Sequence, residues 1–154
     1  MAKKAAASDA DLIMKLYDLR REPEMRKARS WWMSQFWPNS AEDFMKIAGA
    51  MGTPENNWMR QVGGYWGMAA AFVRSGALNE ALFLEPAVSG EMFFMFAKLY
   101  PFLPEIRKQL GDPEALRNVE QVIKNTKWGR DRLQFVLKRI AAAKEKMAAT
   151  GKPN

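Results

Sequence analysis

Asp9 with Asp11, Glu22 with Glu24, and Glu42 with Asp43 stand as carboxylate pairs, a side-chain type that can take up protons or bind a hard cation without histidine. Each pair also fits a plainer role. The first lies in or near a frayed tail, the second flanks Pro23 at a helix start, and the third falls in a first helical turn, where the dipole favours acids. Glu91 differs because it opens the most apolar segment of the chain and could be buried near Tyr65, Tyr100 or Arg74. In a cleft with raised pKa such a carboxylate would be a functional group; as an ion-pair or capping partner it would be structural. Gly63-Gly64-x-x-Gly67 shares only its glycines with a phosphate loop, since no strand precedes it and no Lys-Ser/Thr follows.

Missing residue types narrow the chemistry further. The 154 residues include no cysteine and no histidine, which removes disulfides, thiolate nucleophiles, Ser-His-Asp catalysis and the main zinc ligands. With no nucleophile, base and orienting group in combination, the chain reads as non-enzymatic, with no catalytic, cofactor-binding or metal-ligating residue. Lys3 and Lys4 precede only Ala5 to Ala7 before Ser8 and Asp9, too short an apolar run for a signal peptide, so the expectation is a cytoplasmic protein. The longest uncharged stretch, Gln61 to Val73, has 13 residues and three glycines, short of the roughly 20 a membrane-spanning helix needs.

The elements that must position these groups are helical throughout. Residues 1–30 hold 8 basic and 5 acidic side chains, residues 31–104 hold 4 and 6, and residues 105–154 hold 12 and 6. Five of six tryptophans and eight of nine phenylalanines lie in the middle part, so neither end can build a core of its own. One all-α domain over 9–148 is expected, an irregular multi-helix bundle of seven to nine short and medium helices, with a disordered tail at 1–8 and a frayed one at 149–154. Leu12, Leu16 and Leu19 give a first helix its apolar face, and a second runs into Trp31 to Trp37 before Pro38. Ser40 with Asp43 opens a third. Thr53, Pro54 and Glu55 open the clearest one, whose stripe is Trp58, Val62, Tyr65, Trp66, Ala69, Phe72 and Val73. A short helix spans about Asn79 to Leu84, and Ala87 to Leu99 is apolar on almost every side, as a central helix would be. Ile106 and Leu110 belong to another short helix, Asp112-Pro113-Glu114 reads as a restart, and the last helix covers about Gly129 to Met147.

Gly64-Tyr65-Trp66-Gly67-Met68-Ala69-Ala70, then Val73-Arg74-Ser75-Gly76-Ala77-Leu78, and then Phe96 to Arg107 resemble a small family of uncharacterised bacterial helical proteins, a domain of unknown function. Leu16-Tyr17-Asp18-Leu19-Arg20-Arg21-Glu22-Pro23 extends the resemblance, which covers residues 12–125. It implies a single α-domain and carries no activity or catalytic residue.

Three surfaces invite a partner. Arg26 to Arg29 ahead of Trp31, Trp32, Phe36 and Trp37 would suit a membrane surface, but helical spacing makes these aromatics core or subunit packing. The C-terminal cations, including Arg132, Arg139 and Lys146 at spacing seven, are interrupted by Glu120, Asp131 and Glu145; they read as a solvated face in preference to a nucleic-acid site. Gly63, Gly67, Ala70 or Ala71 and Arg74 leave a small-residue strip on which a helix could settle, with Trp31 and Trp37 as further interface candidates. The leading reading is therefore a protein acting through protein contacts, a homodimer or a complex with an unknown protein partner. The alternative is a small apolar-ligand or acyl-chain binder, its pocket between helices 54–75 and 87–99 and lined by Trp58, Tyr65, Trp66, Glu91 and Phe93.

Overall fold

Helix starts follow the capping chemistry of the chain. Thr53 Oγ1 accepts the backbone N–H of Asn56 at 3.2 Å, and Ser40 Oγ accepts that of Asp43 at 3.2 Å. Asp43 in turn accepts the Asn39 N–H at 2.8 Å, one residue short of a closed capping box. Glu22 Oε2 caps the second helix through Met25 N–H at 2.9 Å.

The computed structural model describes residues 3–151. Its helices are α1 (Ala7–Arg20), α2 (Pro23–Ser34), α3 (Ala41–Ala48), α4 (Pro54–Arg74), α5 (Glu80–Phe83), α6 (Pro86–Leu99), α7 (Leu103–Leu110), α8 (Arg117–Asn125) and α9 (Lys127–Ala149), with a 3-10 turn at Tyr100–Phe102. No strand occurs among the described residues. The all-α expectation therefore holds. Lys3 to Ala6 precede α1 without helix, and residues 1, 2 and 152–154 of the expected tails lie outside the described residues.

α2 lies along α4, α8 also packs on α4, and α9 covers α6 and α8, while α3 touches α4 and α7. Since α2 and α8 each touch both α4 and α6, they stand between these two helices. One continuous core results, with Trp66, Phe83, Phe93, Phe96 and Met92 at its centre. Each such side chain contributes on the order of 1.5–3 kcal/mol by leaving water.

Four expectations need correction. Leu19 is 54% exposed, because α1 docks through Leu12, Ile13, Leu16 and the buried Arg20, a face that advances by four residues instead of three. Asp9, expected in or near a frayed tail, is buried: it accepts N–H bonds from Ala6 at 2.7 Å and Asn79 at 2.8 Å, and these donors hold its carboxyl below the usual carboxylate range. Replacing it with alanine should speed hydrogen exchange at the Asn79 amide by about tenfold or more, and unchanged exchange would mean that this tie is not formed in solution.

The second helix stops at Ser34 instead of running to Trp37. Pro38 disfavours helical geometry at Trp37, and Lys98 Nζ donates to the carbonyls of Trp32 and, at 2.6 Å, of Phe36, which ends α2 from outside. Asp112-Pro113-Glu114 forms an Asx turn, with Glu114 N–H on Asp112 Oδ1 at 2.9 Å, and α8 begins only at Arg117. Leu116 before it takes φ +59°, and that left-handed residue separates turn from helix.

Candidate functional site

The five residues assigned to a pocket do not surround one. Trp66 is 1% exposed, with Tyr65 edge-on at 4.8 Å and Phe83 at 6.3 Å. Tyr65 donates its hydroxyl to Leu16 O at 2.7 Å, and burial pushes its pKa up to about 12. Trp58 sits beside Trp31, while Phe93 meets Trp128 edge-on at 5.8 Å, so these two point into different parts of the bundle. Glu91 is held by Arg29 through a two-pronged ion pair, Nε–Oε2 2.8 Å and Nη2–Oε1 2.5 Å. Its partner is none of Tyr65, Tyr100 or Arg74. The space bordered by Arg29, Trp32, Val62, Trp66 and Glu91 is about 10 Å³, which corrects the expected pocket: α2 fills the gap through Trp32.

The assigned interface divides in two. Trp31 is buried and stacks on Phe36 at 4.7 Å, and Trp37 packs against Phe94 at 5.7 Å, so both serve the core of this chain. Gly63 and Gly67 are uncovered instead: a Cβ built on either meets nothing within 4 Å. Arg74 is exposed and donates to Asn118 Oδ1 at 2.5 Å. Gly67→Ala should raise stability by up to about 1 kcal/mol, since a helix interior gains from alanine and space is free. A concentration-dependent loss of stability in urea titrations would instead reveal a second copy against this face.

Several of the other sequence candidates have structural partners. Glu24 pairs with Lys27 at 2.6 Å, and Glu42 accepts from Gln109 at 3.1 Å. Glu120 binds Arg107 and Lys124, each at 2.6 Å, and Lys127 binds Asp131 at 2.5 Å, so part of the C-terminal positive charge is neutralised locally. Arg132 and Arg139 lie over the exposed Phe135 ring at 4.9 and 5.7 Å.

Lys98 suits the C-terminal end of α6 as a cation, but its burial has no signal in the sequence. It is 1% exposed, has no carboxylate partner among the described residues, and holds its ammonium 3.8 Å from the Trp37 ring and 4.6 Å from the Phe94 ring. Burial, aided by the Lys144 charge, lowers its pKa to about 7. Its bonds to the Trp32 and Phe36 carbonyls join α6 to the end of α2.

A cleft of about 340 Å³ opens where α3, α4, α6 and α7 converge. Phe44 and Ala48 come from α3, Met59, Gly63 and Gly64 from α4, Met95 and Leu99 from α6, and Leu110 with Leu116 from the α7–α8 end. The glycines explain its openness, because side chains there would project where nothing else stands. Its methionine walls can adapt to an irregular shape. Two polar side chains interrupt the apolar lining besides Arg60, which is exposed. Asn56 is 1% exposed, and its Nδ2 donates to Ile47 O and Ala48 O, both at 3.0 Å, closing the C-terminal end of α3. Those two bonds fix which way the amide is turned, and they leave Oδ1 without a hydrogen-bond partner. Trp32, 3% exposed, likewise has its indole Nε1–H unpartnered. A polar asparagine two residues into α4 looked in the sequence like an ordinary helix start, and nothing there signalled its burial.

A larger hollow of about 640 Å³ lies by Leu78, Leu84 and Trp128, the last 44% exposed. Asn79 on its wall is fully engaged with Asp9, Lys3 and Leu82, so no polar group of this residue is left to orient a guest.

A family model described as a domain of unknown function, DUF4760, matches residues 5–128. No curated protein and no solved structure matches the chain.

Proposed function

Starting from a chain that belongs to the DUF4760 family, a domain of unknown function, we propose a non-enzymatic binding domain that holds a small, mainly apolar molecule in the α3–α4–α6–α7 cleft. One observation carries the reading: an opening of about 340 Å³, walled by aliphatic, methionine and aromatic side chains with isolated polar groups. Small-molecule sites fall at roughly 300–1,000 Å³ with this kind of lining. Arg60 is the sole titratable group in the lining, which supplies no nucleophile and base for a reaction and supports binding without turnover.

Methyl carbon NMR of methionine-labelled protein tests this, with 1-octanol as the first probe. Saturable shifts at Met59 and Met95, with exposed Met14 and Met51 unmoved, are the expected result. Shifts confined to the Trp128 side of the molecule would move the site to the larger hollow. Unmoved spectra throughout would remove the reading.

A second reading, homodimer formation, draws on the uncovered Gly67 and the 41% exposed Met68 on α4. Sedimentation equilibrium of the wild type and of Gly67→Ala distinguishes it: a self-associating wild type weakened by the methyl supports it, and a monomer in both cases ends it.

A further inference from the structure

We propose that the outward face of α9 docks on an anionic lipid bilayer, with Trp128 and Phe135 as anchors at the interface and Arg132, Arg139 and Lys146 on lipid phosphates. α9 lends no residue to the α3–α4–α6–α7 cleft, so this surface stands independently of the ligand-binding reading. The helix turns Gly129, Leu133, Val136 and Ile140 into the core. Its opposite side repeats one pairing of residue types: Trp128 with Arg132, Phe135 with Arg139, and Ala142 with Lys146, four residues apart within a pair and seven between pairs. Residues four apart are neighbours on a helix, and seven residues make nearly two turns, so an apolar row and a cationic row run side by side in steps of about 10.5 Å. Phe135 shows the contact: the guanidinium groups of Arg132 and Arg139 stand 4.9 and 5.7 Å from its ring centre. Trp128 and Phe135 are 44% and 47% exposed, whereas Trp31 and Trp32 of α2, which also lie beside basic residues in the sequence, are buried.

Charge selects the occupant. Among the described residues no ion pair engages Arg132, Lys138, Arg139 or Lys146, while Asp131, one of the two acids of α9, is taken by Lys127. These four cations are opposed on the helix by Glu145 alone. The excess disfavours a second copy, whose identical face would meet it with like charge, and favours an anionic surface. A nucleic-acid strand is followed by a groove lined with cations and stacking rings, and α9 presents the ridge of a single helix instead. A bilayer surface is flat, and a 23-residue helix about 35 Å long lays all three pairs on it together. Aromatic rings settle there at headgroup depth, and arginine and lysine are drawn to the negative lipid charge beside them.

Co-sedimentation of the full chain with vesicles tests this, comparing pure phosphatidylcholine with a mixture holding about 30% phosphatidylserine at low salt. Binding to the mixed vesicles, about tenfold or more weaker on the neutral ones and released by about 0.5 M salt, is the expected result. Phe135→Ser and Arg139→Gln replace exposed side chains, so both should keep a urea midpoint close to wild type, and each should lower the affinity about fivefold. Equal binding to both vesicle types, or binding to neither, would overturn the proposal. So would variants that bind like the wild type, since another surface would then be responsible. A mixed-sequence single-stranded oligonucleotide serves as competitor: if it displaces the vesicles at equal charge concentration, α9 is a nucleic-acid face and the bilayer assignment falls.

Discussion

Gly129→Ala is expected to cost more than about 3 kcal/mol, enough to leave much of the chain unfolded. Gly129 is the third residue of α9 and is buried where α8 turns into α9. A Cβ placed on it would stand 2.0 Å from Ile123 O and 3.0 Å from Ile123 C. Both are backbone atoms, so no side-chain rotation relieves the overlap. Thr126 Oγ1, 3.2 Å from the same point, is also committed, because it accepts the Gly129 N–H at 3.0 Å to start the helix. The corner would have to open. α8 rests on α4 while α9 rests on α6, so opening it loosens both apolar helices of the core. Ordinary overpacking costs roughly 1–3 kcal/mol, and a clash with main chain belongs at or beyond the upper end. Urea denaturation of the variant checks this. A midpoint within error of wild type would mean that α8 and α9 do not meet as described. Gly67→Ala is the contrasting control, since the same methyl finds free space there.

The second large effect is a dependence of stability on pH that one side chain controls. Lys98 has an ordinary pKa of 10.5 in the unfolded chain and about 7 in the fold. Below pH 7 both states hold the proton, and the full cost of burying the charge is present. Between about pH 7 and 10.5 the unfolded chain binds a proton that the folded chain has released, so stability rises with pH; above that window it levels off. Each unit of difference corresponds to roughly 1.4 kcal/mol, which makes the rise a few kcal/mol in all. Lys144, whose own pKa burial lowers, faces Lys98 from α9, and Asp43 on α3 acts on Lys144 in the opposite sense. Lys27 and Lys124 have raised pKa values and lose their contribution at high pH. These groups are common to wild type and Lys98→Met, so the difference between the two curves isolates Lys98. The wild type should gain on the variant by a few kcal/mol from pH 6.5 to pH 10. Parallel curves would refute the burial of an ionisable amine, and so would a Lys98 Cε resonance that titrates near pH 10 instead of near 7.

Legibility in the sequence followed the range of the interaction. Thr53-Pro54-Glu55, Ser40 with Asp43, and the stripe from Val62 to Val73 were read correctly because caps and periodicity act within a few residues. The Asp112-Pro113-Glu114 restart failed, although its residues are good helix starters. Leu116 adopts φ +59° between that turn and α8, a conformation its side chain disfavours and the surrounding fold imposes. The apolar stripe of α1 was misphased by one residue because Arg20, a charged side chain, occupies a core position by lying over Trp66 at 5.4 Å and Tyr17 at 5.2 Å.

The candidate site shows the same division. Its apolar residues are visible in the sequence as core formers and Gly63 as part of a small-residue strip, while only the fold shows that no helix of this chain covers Gly63 and that it borders a cleft. The sequence by itself determined an all-helical domain, most of its helix boundaries, and the absence of thiol and imidazole chemistry, since these depend on composition and on neighbours along the chain. Tertiary structure alone decided that α2 fills the space between α4 and α6, that Lys98, Asp9 and Asn56 are buried, and that α3, α4, α6 and α7 leave a cleft open. Those outcomes depend on which helices pack together, and packing is chosen by the total surface buried across the whole bundle, a quantity that no local stretch of sequence contains.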